Sequence, residues 1–222
     1  MYADPETIGT ARQLSVRRAG TACAAGAAVL AVGGLATQVV AASTDVSDQA
    51  WSYPWSSGTS MAISVLWAAA QALLVVGVLA VRRSGAAGTT RAASLGLTLA
   101  AVGTALIVVG HLASLPVADQ AVDDTGPLLV GGVFGLASVL SAVGLLMAGS
   151  AAVRARRWAG WRRFAVLATG LAMVVLIGLQ LTPALPTAVA LYALGFLGVG
   201  VALRRPPVPA RADAPFAGVA GR

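Results

Sequence analysis

Residues 164–203 read FAVLATGLAMVVLIGLQLTPALPTAVALYALGFLGVGVAL, forty consecutive positions without a charge, divided near the middle by Pro183 and Pro186. A helix needs about 20 apolar residues to cross a hydrocarbon core roughly 30 Å thick, so this run is long enough for two crossings. Proline breaks a helix interior, and the two prolines mark a tight turn between the crossings. Four more charge-free windows lie upstream, at 19–44, 49–81, 92–118 and 125–153. Charges are costly in hydrocarbon, so each window reads as one crossing. The predicted helices lie near 20–43, 60–81, 94–115, 127–150, 164–183 and 186–203.

The chain is 58% hydrophobic and 10% charged, with a mean hydropathy of +0.83. Soluble domains carry about 25% charged residues, which excludes a single water-soluble globule. A transmembrane barrel needs segments of about 10 residues alternating in polarity. Runs such as Ala68-Ala69-Ala70 and Val174-Val175-Leu176-Ile177 do not alternate. The predicted fold is therefore all-α, a polytopic membrane bundle of six transmembrane helices. Residues 1–18 read as an N-terminal tail, 19–205 as the transmembrane domain and 206–222 as a flexible C-terminal tail. Arg17-Arg18 before the first helix and Val40-Ala41-Ala42 after it resemble a signal peptide, but the apolar run exceeds a signal core of 7–15 residues. The first helix is read as retained.

Six crossings put both termini on one side. That side receives all 15 basic residues, every one an arginine, while Asp45, Asp48, Asp119, Asp123 and Asp124 fall on the other. Counting Asp4, Glu6 and Asp213, the arginine side carries +12 and the acidic side −5. The positive-inside rule then predicts cytoplasmic termini. The pI near 11.2 reflects short juxtamembrane clusters that suit anionic lipid headgroups better than nucleic acid. The composition, rich in Ala, Gly and Arg and free of lysine, suggests a GC-rich bacterial genome, and hence the bacterial inner membrane.

Polar side chains inside spans are the first place to look for chemistry. They are Gln38, Gln71, His111 and Gln180, joined by Thr104, seven residues before His111, and by Tyr192. Their depths suggest a polar pocket open to the acidic side with His111 at its centre. Neutral imidazole both donates and accepts a hydrogen bond, which suits a headgroup, a carbonyl or a proton. The plainer reading is that these groups hydrogen-bond one another and hold helices together. Trp51, Tyr53 and Trp55 in the first outer loop read as an interfacial belt or as a lid. Trp158 and Trp161 read as the same belt on the arginine side. Gly96, Gly103 and Gly110 on the third helix, and Gly131 and Gly135 on the fourth, read as packing faces inside the bundle or as contacts for a partner helix.

One cysteine, Cys23, and one histidine exclude a disulfide framework, a CxxC pair and an HExxH zinc site. The acidic loops match no calcium-binding loop. No metal or other cofactor is expected, and no catalytic set is evident, which leaves enzymatic activity open. The Trp-Ser-Tyr-Pro-Trp-Ser loop (51–56), the Gly-Trp-Arg-Arg-Phe-Ala entry (160–165) and the short turn between the last two helices have a familiar layout. Over residues 18–205 the chain resembles small six-helix bacterial membrane proteins classed as a domain of unknown function. The resemblance implies the fold and brings no active-site residues.

Three function classes follow. The first is a non-enzymatic membrane subunit or accessory protein that binds lipid, a membrane-protein partner or a second copy. The second is a small transporter or carrier using the His111 pocket. The third is an intramembrane enzyme. The first leads, because catalytic sets are lacking and the loops are short.

Overall fold

The computed structural model describes the backbone from residue 5 to residue 205, and side chains from Thr10 onward. Among the described residues there are six helices long and apolar enough to cross a membrane. The helices are α1 (Pro5–Ala41), α2 (Ser57–Ser84), α3 (Arg91–Ala113), α4 (Thr125–Ala155), α5 (Ala165–Leu179) and α6 (Leu185–Leu203), and the fifth span, Gly160–Leu179, joins α5 to the 3-10 turn before it. A short 3-10 turn, Gly160–Phe164, leads into α5, and another, Leu115–Val117, follows α3. No named strand occurs among the described residues.

The boundaries follow local chemistry. Gly85 takes the left-handed conformation at the end of α2, with φ 69°, and its N–H returns to the Arg82 carbonyl. Glycine tolerates that conformation without steric cost. The Thr90 hydroxyl accepts the Ala93 N–H and caps α3. Pro186 lies in the first turn of α6, where its missing N–H costs nothing.

Two boundaries differ from the sequence reading. Residues 5–18, expected as a tail, continue α1, which therefore overhangs the charge-free window by 14 residues, roughly 21 Å. The fifth helix, expected to reach residue 183, stops at Leu179. The backbone bond Thr182 N–H to Leu179 O turns the chain before Pro183, and Leu185 N–H to Thr182 O continues the turn across it. The expected tail at 206–222 lies outside the described residues.

Each helix packs against its neighbours in the chain, and α6 returns to α1, closing a ring of six. The ring is collapsed, because α2 also touches α6 across the middle. Lipid tails are as apolar as leucine, so apolar helices in a bilayer gain by close packing rather than by escape from water. Glycines supply that closeness. A Cβ at Gly20 of α1 would stand 2.8 Å from the Gly200 carbonyl oxygen of α6, and one at Gly26 would stand 2.5 Å from the Ala70 carbonyl of α2. At Gly96 of α3 it would stand 2.8 Å from the Ala148 nitrogen of α4.

Gly103 and Gly110 continue that seam, against Ser141 and the Phe134 ring of α4. The α3 stripe therefore packs the bundle's own interior, one of its two expected roles. Gly131 and Gly135 do not. A Cβ at either has nothing within 4 Å. Gly135 is nine positions before Gly144, half a turn out of phase, and it is Gly144 that meets Ala100 of α3.

The open glycines lie instead on the α5 side of α4. Gly149 sits against Leu167, and Gly170 of α5 sits against Leu146. Carried along this antiparallel register, Gly135, fourteen positions before Gly149, faces position 181. That position is beyond the end of α5, and Leu181 there is 100% exposed. The α4–α5 seam is thus closed near the arginine end and open near the acidic end. The early stop of α5 is the cause.

Candidate functional site

The six polar residues expected to form one pocket fall in four places. Gln71 of α2 and Tyr192 of α6 meet at the centre, the Gln71 Nε2 donating to the Tyr192 hydroxyl at 3.0 Å. They are 2% and 3% exposed. Thr104 of α3 lies against the same hydroxyl. Its own Oγ1 donates to the Ala100 carbonyl at 2.7 Å, the usual way a buried threonine satisfies itself in a helix. The Tyr192 ring meets Phe196 edge-on, centroids 5.1 Å apart. This three-helix cluster lies where the ring is collapsed.

His111 is elsewhere. It shares a face with Thr104 but lies two turns away, about 10 Å along the helix axis. It is half-buried between two aromatic rings, Trp67 of α2 at 5.7 Å and Phe134 of α4 at 5.1 Å, both edge-on. Its ring makes no hydrogen bond with a described residue. Gln38 pairs with Thr187 across the α1–α6 seam, Thr187 Oγ1 donating to Gln38 Oε1 at 3.1 Å. Gln180 lies in the α5–α6 turn, its backbone N–H on the Ile177 carbonyl. A single pocket centred on His111 is therefore not what these residues build.

The loops at the acidic end form a cap. Trp51 N–H donates to Gln120 O at 2.9 Å and Val122 N–H to Gln49 O at 2.8 Å. These bonds tie the α1–α2 loop to the α3–α4 loop in an antiparallel bridge at Ala50 and Ala121. The Tyr53 hydroxyl donates to Ala41 O at 3.1 Å, and Thr44 Oγ1 to Pro54 O at 2.9 Å. Trp51 and Trp55 are half-buried in this cap, and Tyr53 is exposed.

At the arginine end the two expected belt tryptophans part. Trp161 is 57% exposed, whereas Trp158 is 2% exposed and belongs to the core. The Arg157 guanidinium beside it donates to Gly85 O at 3.2 Å and tethers the α4–α5 loop to the α2–α3 loop. That tether holds the loop against the end of the bundle, where Trp158 is buried.

The same end carries a site that the sequence did not reveal. Leu14, Arg17, Arg18 and Thr21 of α1, with Arg204 at the end of α6, line an open cleft of about 420 Å³. Trp161, Arg162, Val201 and Arg205 line a smaller recess of about 110 Å³. Arg17-Arg18 and Arg204-Arg205 are visible in the sequence as clusters, but only the closure of α6 onto α1 brings them together. Among the described residues no group of His, Cys, Asp or Glu is placed to hold a metal ion. No protein-family model, curated protein or solved structure matches this chain.

Proposed function

We propose that this chain is a multi-pass protein of the bacterial inner membrane with both termini cytoplasmic, acting as a non-enzymatic accessory subunit that binds a membrane partner or lipid. The observation that carries the reading is the unfilled half of the α4–α5 seam. Gly131 and Gly135 leave the α4 backbone bare where α5 has already ended, with exposed Leu128 and Leu136 nearby. Bare glycine backbone in lipid is the surface on which a second helix or an acyl chain packs closely. The arginine count on one side supports the orientation. Kinship with small six-helix bacterial membrane proteins is part of the same proposal, supported by the ring of six helices.

The test is mild-detergent extraction followed by native mass spectrometry of the wild type and of Gly131→Leu/Gly135→Leu. A co-purifying polypeptide, a dimer or retained lipid that the double variant loses supports the reading. A bare monomer from both sinks it.

A second reading, a small carrier, draws on one observation: the His111 ring, half-buried between Trp67 and Phe134, has no hydrogen-bond partner among the described residues. Against it stands the Gln71–Tyr192 contact, which fills the centre through which a substrate must pass. Solute flux in proteoliposomes that His111→Ala abolishes would promote it.

A further inference from the structure

We propose that the cleft between the α1 overhang and the end of α6 holds a phosphate group, carried by an anionic phospholipid or free. The inference deepens the lipid-binding reading above and rests on its membrane placement. Five residues line the cleft, and three of them are arginines: Arg17, Arg18 and Arg204. The cleft is open, with a volume of about 420 Å³, and its three arginines are exposed. Guanidinium is the side chain best matched to phosphate, because its planar donors engage two oxygens at once.

The arginines are available for this. Arg17 and Arg18 make no side-chain hydrogen bond or ion pair with a described residue. Arg204 donates only its Nε, to Thr21 Oγ1 at 3.4 Å, a long bond that turns the guanidinium toward α1. The smaller recess is the weaker candidate, since its Arg162 is already engaged with the Arg205 carbonyl at 3.5 Å. The five described carboxylates, Asp45, Asp48, Asp119, Asp123 and Asp124, all lie in the loops at the far end.

Position and shape fit an interfacial ligand. Arg17 and Arg18 immediately precede the first charge-free window, the level of lipid phosphates in a bilayer. Gly20 and Gly200 clamp α1 to α6 just above. Below that clamp α6 ends while α1 continues for four turns, so the cleft is a consequence of unequal helix lengths. Leu14, 49% exposed, gives the cleft an apolar wall beside its cations, which suits the glycerol and first methylenes of a lipid better than bare phosphate.

The experiment uses the full chain in mild detergent. Phosphatidylglycerol, phosphatidylcholine and inorganic phosphate are titrated separately, with native mass spectra and melting temperature as readouts. The variant is Arg17→Gln/Arg18→Gln/Arg204→Gln. The control, Arg82→Gln/Arg91→Gln/Arg154→Gln, removes equal charge from exposed positions at the same end that do not line the cleft. Wild type and control should retain phosphatidylglycerol in preference to phosphatidylcholine, and the cleft variant should bind it about tenfold or more weakly. If millimolar inorganic phosphate displaces the lipid and raises the wild-type melting temperature but not the variant's, the natural ligand is a free phosphate compound. If it does neither, the ligand is the lipid.

Equal phosphatidylglycerol binding by cleft variant and control, or equal loss in both, overturns the proposal. If the triple variant does not assemble, Arg204→Gln against Arg154→Gln gives the same comparison. Carbonate extraction separates the two levels of failure. A chain that stays with the membrane yet shows no cleft effect loses this inference alone, and a chain that washes off loses the membrane reading as well.

Discussion

The two seams along α4 have similar sequences and different fates. Toward α3 the contact runs from Gly96 to Gly110, with Phe134, Ala137, Ser141, Gly144 and Ala148 on the other side. Toward α5 it is made at Gly149 and Gly170, then stops, leaving Gly131, Gly135 and Gly178 in open space. Small residues at heptad-like spacing mark where a backbone can be approached. Whether anything approaches depends on how far the neighbouring helix reaches. α3 spans 23 residues, whereas α5, 20 residues with the 3-10 turn before it, already stops at Leu179.

Substitutions can break this contrast. The largest effect is expected from Gly103→Leu. A Cβ there lies within 2.5 Å of the Ser141 backbone nitrogen, and backbone cannot rotate away. Overpacking of a core costs about 1–3 kcal/mol and sometimes more, and a clash against backbone belongs at or above the upper end. SDS unfolding followed by circular dichroism should show the variant unassembled or strongly destabilised. Wild-type stability would show that the α3–α4 seam is looser than described.

Gly149→Leu tests the closed half of the other seam. It meets the Leu167 backbone, but close to the α4–α5 loop, where the short α5 can shift. A loss of about 1–3 kcal/mol is expected, measured in the same assay. A loss equal to that of Gly103→Leu would remove the distinction between the seams.

Tyr192→Phe sharpens the scale. It deletes the acceptor of the Gln71 bond at the centre while keeping the ring against Phe196. Interhelical hydrogen bonds in membranes average about 0.6 kcal/mol and reach about 1.7, and because Gln71 is left buried and unpaired the upper part of that range is expected. A double-mutant cycle with Gln71→Leu checks it, and a coupling of zero would mean that the two side chains do not share a bond.

The smallest effect is expected at the open half. Gly135→Leu should change the stability of the isolated protein by less than about 0.5 kcal/mol, as for a surface site. Its effect should appear instead in what co-purifies. A destabilisation comparable to Gly149→Leu would place a helix over Gly135 and contradict the open seam.

The candidate site was legible only in part. Gln71, Thr104, Tyr192 and His111 stand out because polar groups in hydrocarbon are rare. Their grouping was not legible. Depth along a helix is counted from the sequence, but azimuth around the bundle needs the ring order, and His111 and Gln71 proved to belong to separate clusters. Trp158 was misplaced for a related reason. A tryptophan between arginines reads as an interfacial anchor, and nothing local announces that Arg157 bonds to Gly85 and holds the loop against the end of the bundle.

The sequence by itself determined the number of helices long and apolar enough to cross a membrane, their approximate ends and the segregation of charge. These follow from a one-dimensional cost, the transfer of charges and bare backbone into hydrocarbon, which is paid position by position along the chain. Tertiary structure alone decided which glycine face is filled, that Gln71 meets Tyr192, and that α1 and α6 bring Arg17, Arg18 and Arg204 around one cleft. In a membrane, lipid-facing and helix-facing surfaces are equally apolar, so hydropathy carries no mark of which side turns inward. Packing geometry and helix length make that choice.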